Sequence, residues 1–130
     1  MSASVLDTSA VLAFLLQEPG GDEVATLLEG RAIISAVNVQ ELLVKLLAKG
    51  MTSRHARLTI QSLNLECHPH SMEDAEASAE LTEHTRVKGL SLGDRSCLAL
   101  AGKLGLPAVT ADRVWSELAG TVAVSVRVIR

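Results

Sequence analysis

Short apolar runs and helical apolar stripes take turns along this chain. Val5-Leu6 ends a short apolar strand that runs into Asp7-Thr8-Ser9 and then a helix over about 10–17, which Pro19-Gly20-Gly21 stops. Residues 22–29 read as a second helix, with Val24, Leu27 and Leu28 inward and Gly30 as its stop. Ala32-Ile33-Ile34 is a continuous apolar run, as a strand buried on both faces would be. From Asn38 to Lys49, Val39, Leu42, Leu43, Leu46 and Leu47 recur at three- and four-residue spacing, predicting a helix ended by Gly50. Thr52 or Ser53 can cap a further helix reaching about Ser62. Leu63, Leu65 and Cys67 then alternate with Asn64, Glu66 and His68, the pattern of a half-exposed strand. A long Ala- and Glu-rich helix is predicted from about Met72 to Val87, and another from Gly93 to Lys103, stopping at Gly105. Pro107 to Thr110 reads as a short strand and Asp112 to Leu118 as a short helix. Val122, Val124, Val126 and Val128 alternate as a final strand.

Strands alternating with helices predict an α/β domain with a central parallel sheet and helices on both faces. The 130 residues are one domain's worth, 1–130, with no linker, low-complexity tract or repeat. Right-handed crossovers would line the loops that follow the strands along one sheet edge, where ligands bind in such folds. Composition narrows the chemistry. The formal net charge of −3 offers no broad basic footprint for nucleic acid. Phe14 and Trp115 are the only aromatics, which argues against recognition by base stacking. Cys67 and Cys97 are too few for a disulfide scaffold, lack metal-finger spacing, and are expected as small core residues in a reducing interior. The apolar run Ala10 to Leu16 is too short to span a bilayer, and Asp7 rather than a basic segment precedes it. The expectation is a cytoplasmic protein without membrane contact.

Four acids stand at places where the predicted topology can bring them together. Asp7 follows the first strand, and Glu41 lies in the first turn of the helix after the second. Asp94 opens the helix leading into the Val109 strand, and Asp112 lies just past that strand. Each has a plainer explanation. Asp7 and Asp112 can be helix N-caps, and Asn38-x-x-Glu41 and Ser91-x-x-Asp94 both resemble capping boxes. Glu41 can also pair with Lys45 one turn on. Taken together, four carboxylates sharing a pocket would need a cation to neutralise them. Hard oxygen ligands favour Mg²⁺ or Mn²⁺ over zinc. Removing those four charges from the formal −3 leaves the rest of the chain at +1, so the acidity is concentrated in the candidate site.

Val5-Leu6-Asp7-Thr8-Ser9-Ala10 resembles the opening strand and D-x-S motif of PIN domains. Ser35 to Leu42 resembles the segment carrying their conserved Glu. Leu92-Gly93-Asp94 with Ala99 and Ala101 looks like the third acidic motif, and Thr110-Ala111-Asp112 with Trp115 looks like the T-x-D motif. These motifs run in order from residue 5 to 115, and within that family the chain looks most like a VapC toxin, the ribonuclease half of a VapBC toxin–antitoxin pair. The resemblance implies a three-layer α/β/α fold and Mg²⁺-dependent endoribonuclease activity. It makes Asp7, Glu41, Asp94 and Asp112 the metal ligands, directly or through water. Ser9 and Thr110 match the motif hydroxyls that position ligand, water or phosphate; their plainer reading is local capping of strand-to-helix turns. It further implies a VapB-like antitoxin and homodimerisation. Cys97 and Leu98 stand where the family often has a further polar or acidic residue, so no fifth acidic ligand is expected.

The other charged groups read as follows. His68-Pro69-His70 is taken as a loop rather than a metal site. Glu73, Asp74, Glu76, Glu80 and Glu83 are taken as a solvated helix face, with Arg86 and Lys88 suiting its C-terminal end. Lys45, Lys49, Arg54 and Arg57 form either a basic strip for phosphates or ordinary surface, and Arg95 is a weaker candidate for contacting RNA or an antitoxin. Trp115 is expected in the core. Two alternatives stay open: a PIN nuclease of RNA maturation outside toxin systems, and a non-catalytic receiver-like α/β signalling module. The latter would want a Lys after a late strand, and none follows Val109 or Val126 in that way.

Overall fold

In a computed structural model describing residues 2–85, 89–118 and 120–130, the strands form one all-parallel sheet. They are β1 (Ala3–Leu6), β2 (Arg31–Ser35), β3 (Glu66–His68), β4 (Ala108–Thr110) and β5 (Val126–Val128), in the order β3-β2-β1-β4-β5. A receiver-like module would carry the order 2-1-3-4-5, so that alternative is overturned. The helices are α1 (Thr8–Leu15), α2 (Gly21–Leu28), α3 (Ala36–Ala48), α4 (Ser53–Gln61), α5 (Met72–Glu80), α6 (Thr82–Thr85) and α7 (Leu92–Leu104), with a 3₁₀ turn at Arg113–Leu118.

Successive residues of the central strands enter opposite cores, which is why β1, β2 and β4 carry buried apolar neighbours at Val5-Leu6, Ile33-Ile34 and Ala108-Val109. Leu6, Ile34 and Val109 pack with Ala10, Val24, Leu42 and Leu46 on one face. Val5, Ile33 and Ala108 pack with Cys97, Leu98, Trp115 and Leu118 on the other. Each large apolar side chain buried this way contributes roughly 1.5–3 kcal/mol. The expected three-layer α/β/α arrangement is the one found, and Trp115 is fully buried as expected.

Four local expectations are corrected. The predicted long helix breaks: at Leu81 the ladder tightens to an i→i−3 bond with Ser78 (3.2 Å), separating α5 from α6. Its predicted end at Val87, with Arg86 and Lys88, lies outside the described residues. The final strand is shorter than its alternation suggests. Only Val126–Val128 joins the ladder, while Val122 and Val124 pack on the Trp115 cluster. Cys67 is exposed, because β3 is a short edge strand; Leu63 and Leu65 reach the core before it, around Asn64 at φ +54°. Finally, α3 starts at Ala36 with Ser35 as its cap, so Asn38 sits inside the helix and forms no capping box with Glu41.

One consequence of the topology carries the site. Because β4 is parallel to β1, the helix feeding it must run back against the strands. The start of α7, with Asp94, therefore lies at the same carboxyl edge as the ends of β1, β2 and β4.

Candidate active site

Asp7 is set by strand register. Its N–H donates to the Val109 carbonyl (3.0 Å), which brings Thr110 level with it. The Thr110 hydroxyl donates to Asp7 Oδ2 (2.6 Å), the Ser9 hydroxyl lies 2.8 and 2.9 Å from the two carboxylate oxygens, and the Ala10 N–H donates to Oδ1 (2.8 Å). Ser9 Oγ in turn accepts from the Ala111 N–H (2.9 Å) and Thr110 Oγ1 from the Asp112 N–H (3.0 Å). The two hydroxyls thus cap their turns and orient Asp7 at once. Asp7 is 2% exposed, and burial raises its pKa from 3.8 to about 6, against the pull of these donors and with a further push from Asp94.

Glu41, on α3, accepts from the Thr8 hydroxyl (2.7 Å) and from Asn38 Nδ2 (3.0 Å) through Oε1. Among the described residues it forms no ion pair with Lys45. Its carboxylate lies over Gly93, where any side chain would overlap it. Asp94 forms the expected capping box: its Oδ2 accepts from the Ser91 N–H (2.9 Å) while its own N–H donates to Ser91 Oγ (3.2 Å). Partial burial raises its pKa against those bonds, and the charges of Glu41 and Asp112 raise it further. Asp112, exposed past β4, accepts from the Val114 N–H (3.0 Å).

Asp94 thus acts on Asp7, and Glu41 and Asp112 act on Asp94, along the carboxyl edge. Cys97 registers nearby charge as well: burial first, then Asp7, Asp94 and Glu41, push its thiol pKa far up. It is buried, as expected. Yet among the described residues no three His, Cys, Asp or Glu side chains stand close enough to hold a metal ion. Each carboxylate is engaged by its own local donors. The set fits a hard divalent cation in donor type and in charge, but not as a preassembled cage. Thr8, Asn38 and Gly93 were not singled out from sequence as parts of the site. The available signals were an Asn one turn before Glu41 and small or hydroxyl residues beside two of the acids.

Beside the acids, Ser9, Ala111, Asp112, Arg113 and Arg130 line an open hollow of about 500 Å³. Arg113 and Arg130 were likewise not foreseen. Lys45 and Lys49 line a different hollow from Arg54 and Arg57, so those four cations divide between two places. Arg95 is tied to the Leu90 carbonyl (2.6 Å). His68 sits 2.6 Å from Glu66, which also takes both nitrogens of a fork from Arg31 (2.9 and 2.7 Å) and is held at a pKa of about 2, in a surface network with no metal cluster among the described residues. Glu73, Glu76, Glu80 and Glu83 face solvent, while Asp74 caps α5 and pairs with Lys103 (3.0 Å). Among the described residues no helix is long and apolar enough to cross a membrane.

Fold and site together define an α/β/α domain with four acids along the carboxyl edge of a parallel sheet. The PIN domain model matches residues 4–121, and the chain belongs to the PIN domain family. PIN domains are nucleases and generally use divalent metal. No curated protein matches the chain significantly. Among solved structures it is similar to VapBC-5, a VapBC-family toxin–antitoxin member from Mycobacterium tuberculosis, at 32% identity over 100% of this chain and 99% of that one (TM-score 0.65). It is also similar in fold to DNA-bound VapBC from Salmonella typhimurium (19% identity, 100% of both chains, TM-score 0.72). A toxin–antitoxin complex from Klebsiella pneumoniae is a further fold relative (18%, 98% of both chains, TM-score 0.74).

Proposed function

We propose that this protein is a Mg²⁺-dependent endoribonuclease and the toxin of a VapBC-type pair, with Asp7, Glu41, Asp94 and Asp112 as its metal ligands. The observation that carries the reading is geometric: Asp7, Glu41, Asp94 and Asp112 stand along one carboxyl edge of the parallel sheet, with the Glu41 carboxylate against Gly93 beside Asp94. A desolvated aspartate whose charge is disfavoured both by burial and by a second acid gains most from a cation. Such a cation, Mg²⁺ or Mn²⁺, supplies acidity for an attacking water and countercharge for the phosphate and leaving oxygen. The chain's own residues prepare for it. Ser9 and Thr110 hold both Asp7 oxygens in one orientation. Thr8 and Asn38 hold Glu41 Oε1, leaving Oε2 with no donor among the described residues. Asp94 and Asp112, which accept from the Ser91 and Val114 N–H groups, would complete the set of oxygen ligands. Arg113 and Arg130 supply positive charge beside the acids for the RNA backbone.

The similarity to VapBC complexes supports a VapB-like antitoxin as partner, and a homodimer is part of the same proposal. It also favours the toxin over a PIN nuclease of RNA maturation. RNA as substrate and free thiols both suit the cytoplasm. The test is cleavage of RNA with and without Mg²⁺ or Mn²⁺, beside Asp7→Asn and Asp94→Asn. Both variants are expected to fold and to lose cleavage. Metal-independent cleavage, or near-wild-type turnover in either variant, would overturn the mechanism.

A further inference from the structure

We propose that Asn38 is a positioning residue of the acidic site, whose buried amide holds Glu41 against the start of α7 and so sets where that carboxylate stands for ion binding. The inference rests on the nuclease reading above. Asn38 is 1% exposed, and its Nδ2 lies within bonding distance of three acceptors: Glu41 Oε1 (3.0 Å), the Gly93 carbonyl (3.1 Å) and Thr8 Oγ1 (3.3 Å). Every one of these belongs to the site. Thr8 follows Asp7, Glu41 is itself an acid, and Gly93 precedes Asp94. One amide thereby ties α1, α3 and α7 together at the points where they present their carboxylates.

Two further observations show what the side chain is for. The Asn38 Oδ1 is buried with no hydrogen-bond partner. Such atoms are uncommon in native cores and call for an explanation. Turning the amide over would not relieve it, because Oδ1 would then face the Glu41 oxygen and the Gly93 carbonyl with no proton between them. The amide is therefore held in place by what its NH₂ group donates to, and its carbonyl is left stranded as a result. A leucine of nearly the same shape would carry no carbonyl to strand, but it would take away the donor that Glu41 Oε1, the Gly93 carbonyl and Thr8 Oγ1 now share. The second observation is Gly93, which leaves empty the volume that Glu41's carboxylate occupies. Thr8, Asn38 and Gly93, on three helices, are thus shaped around one carboxylate.

Partners that orient a metal ligand without touching the ion typically change affinity or activity by about 10–100-fold when removed. The experiment compares wild type with Asn38→Leu, Asn38→Ser and Asn38→Ala by Mn²⁺ titration calorimetry without RNA, thermal melting, and kcat and KM for RNA cleavage. The expected result for Asn38→Leu is a folded protein whose Mn²⁺ affinity and kcat fall by about 10–100-fold while KM holds. Asn38→Ser, which keeps one donor, should fall above Asn38→Ala. Thr8→Val should lower Mn²⁺ affinity in the same direction, and Thr8→Ser should recover it. A folded Asn38→Leu that binds Mn²⁺ and turns over like wild type overturns the proposal. So does a failure of all three Asn38 variants to fold, which would make the role structural. Wild-type protein that neither binds Mn²⁺ nor cleaves RNA defeats the nuclease reading instead.

Discussion

Removing the charge of Asp7 should make the metal-free protein more stable while abolishing its activity. Burial holds this carboxyl at about 6 rather than 3.8, so above pH 6 the charged form is about 3 kcal/mol less favourable folded than unfolded. The sign follows from the direction of the shift. A group whose pKa is raised on folding adds stability that is complete below its unfolded value and is lost as pH rises through the folded one. The Asp7 contribution is thus present below about pH 4 and gone above about pH 6–7. Asp7→Asn keeps the shape and never ionises. Its carbonyl can still accept from the Ala10 N–H, but its NH₂ must donate to Ser9 and Thr110, whose hydroxyls now act as acceptors. That rearrangement trims the gain to about 1–3 kcal/mol at pH 8, or roughly 3–10 °C in melting temperature for a domain this size. The assay is urea and thermal denaturation of both proteins in EDTA from pH 4 to 8, repeated with Mg²⁺. The difference should grow between pH 4 and 7 and level off above. Mg²⁺ should narrow it by stabilising the wild type alone. A variant no more stable than wild type at pH 8 would refute the reasoning, as would a gain of the same size at pH 4.

Further outcomes follow from single contacts. Gly93→Ala places a methyl group on the Glu41 carboxylate and should cost about 1–3 kcal/mol by urea denaturation and at least about tenfold in RNA cleavage, the size of effect seen when a ligand's surroundings are disturbed. Ser91→Ala removes the hydroxyl that accepts from the Asp94 N–H at the start of α7 and should lower the urea-derived stability by about 1 kcal/mol. Trp115→Ala empties the second core and should cost about 3–5 kcal/mol, read as loss of cooperative melting by circular dichroism. Thiol labelling of native protein should modify Cys67 alone, and Cys97 should react only after denaturation, since its thiol is buried and its pKa far up.

Much of this molecule was legible in the residue pattern because its central strands β1, β2 and β4 are buried on both faces. Such strands read as continuous apolar runs, as at 32–34, and the helices between them carry three- and four-residue stripes. The acids were legible because local structure needs them where the chemistry does: Asp7 and Asp94 each cap a helix at the sheet edge, so turn signals and site signals coincide. Where local pattern misled, tertiary packing had the stronger claim. Val122 and Val124 alternate as a strand would, yet the Trp115 cluster takes them; Asn38-x-x-Glu41 mimics a cap, yet Ser35 begins the helix.

Sequence by itself determined which residues carry negative charge, which turns they terminate, and that a parallel sheet would line those turns along one edge. It could not determine that Asn38 would point at Gly93, that Glu41 would lie in the space a glycine leaves, or that Asp7 would be desolvated enough to hold its proton near pH 6. Those facts depend on contacts between residues 33 to 103 positions apart in the chain. A hydrogen bond's partner and a carboxylate's dielectric surroundings exist only once distant segments have packed against one another.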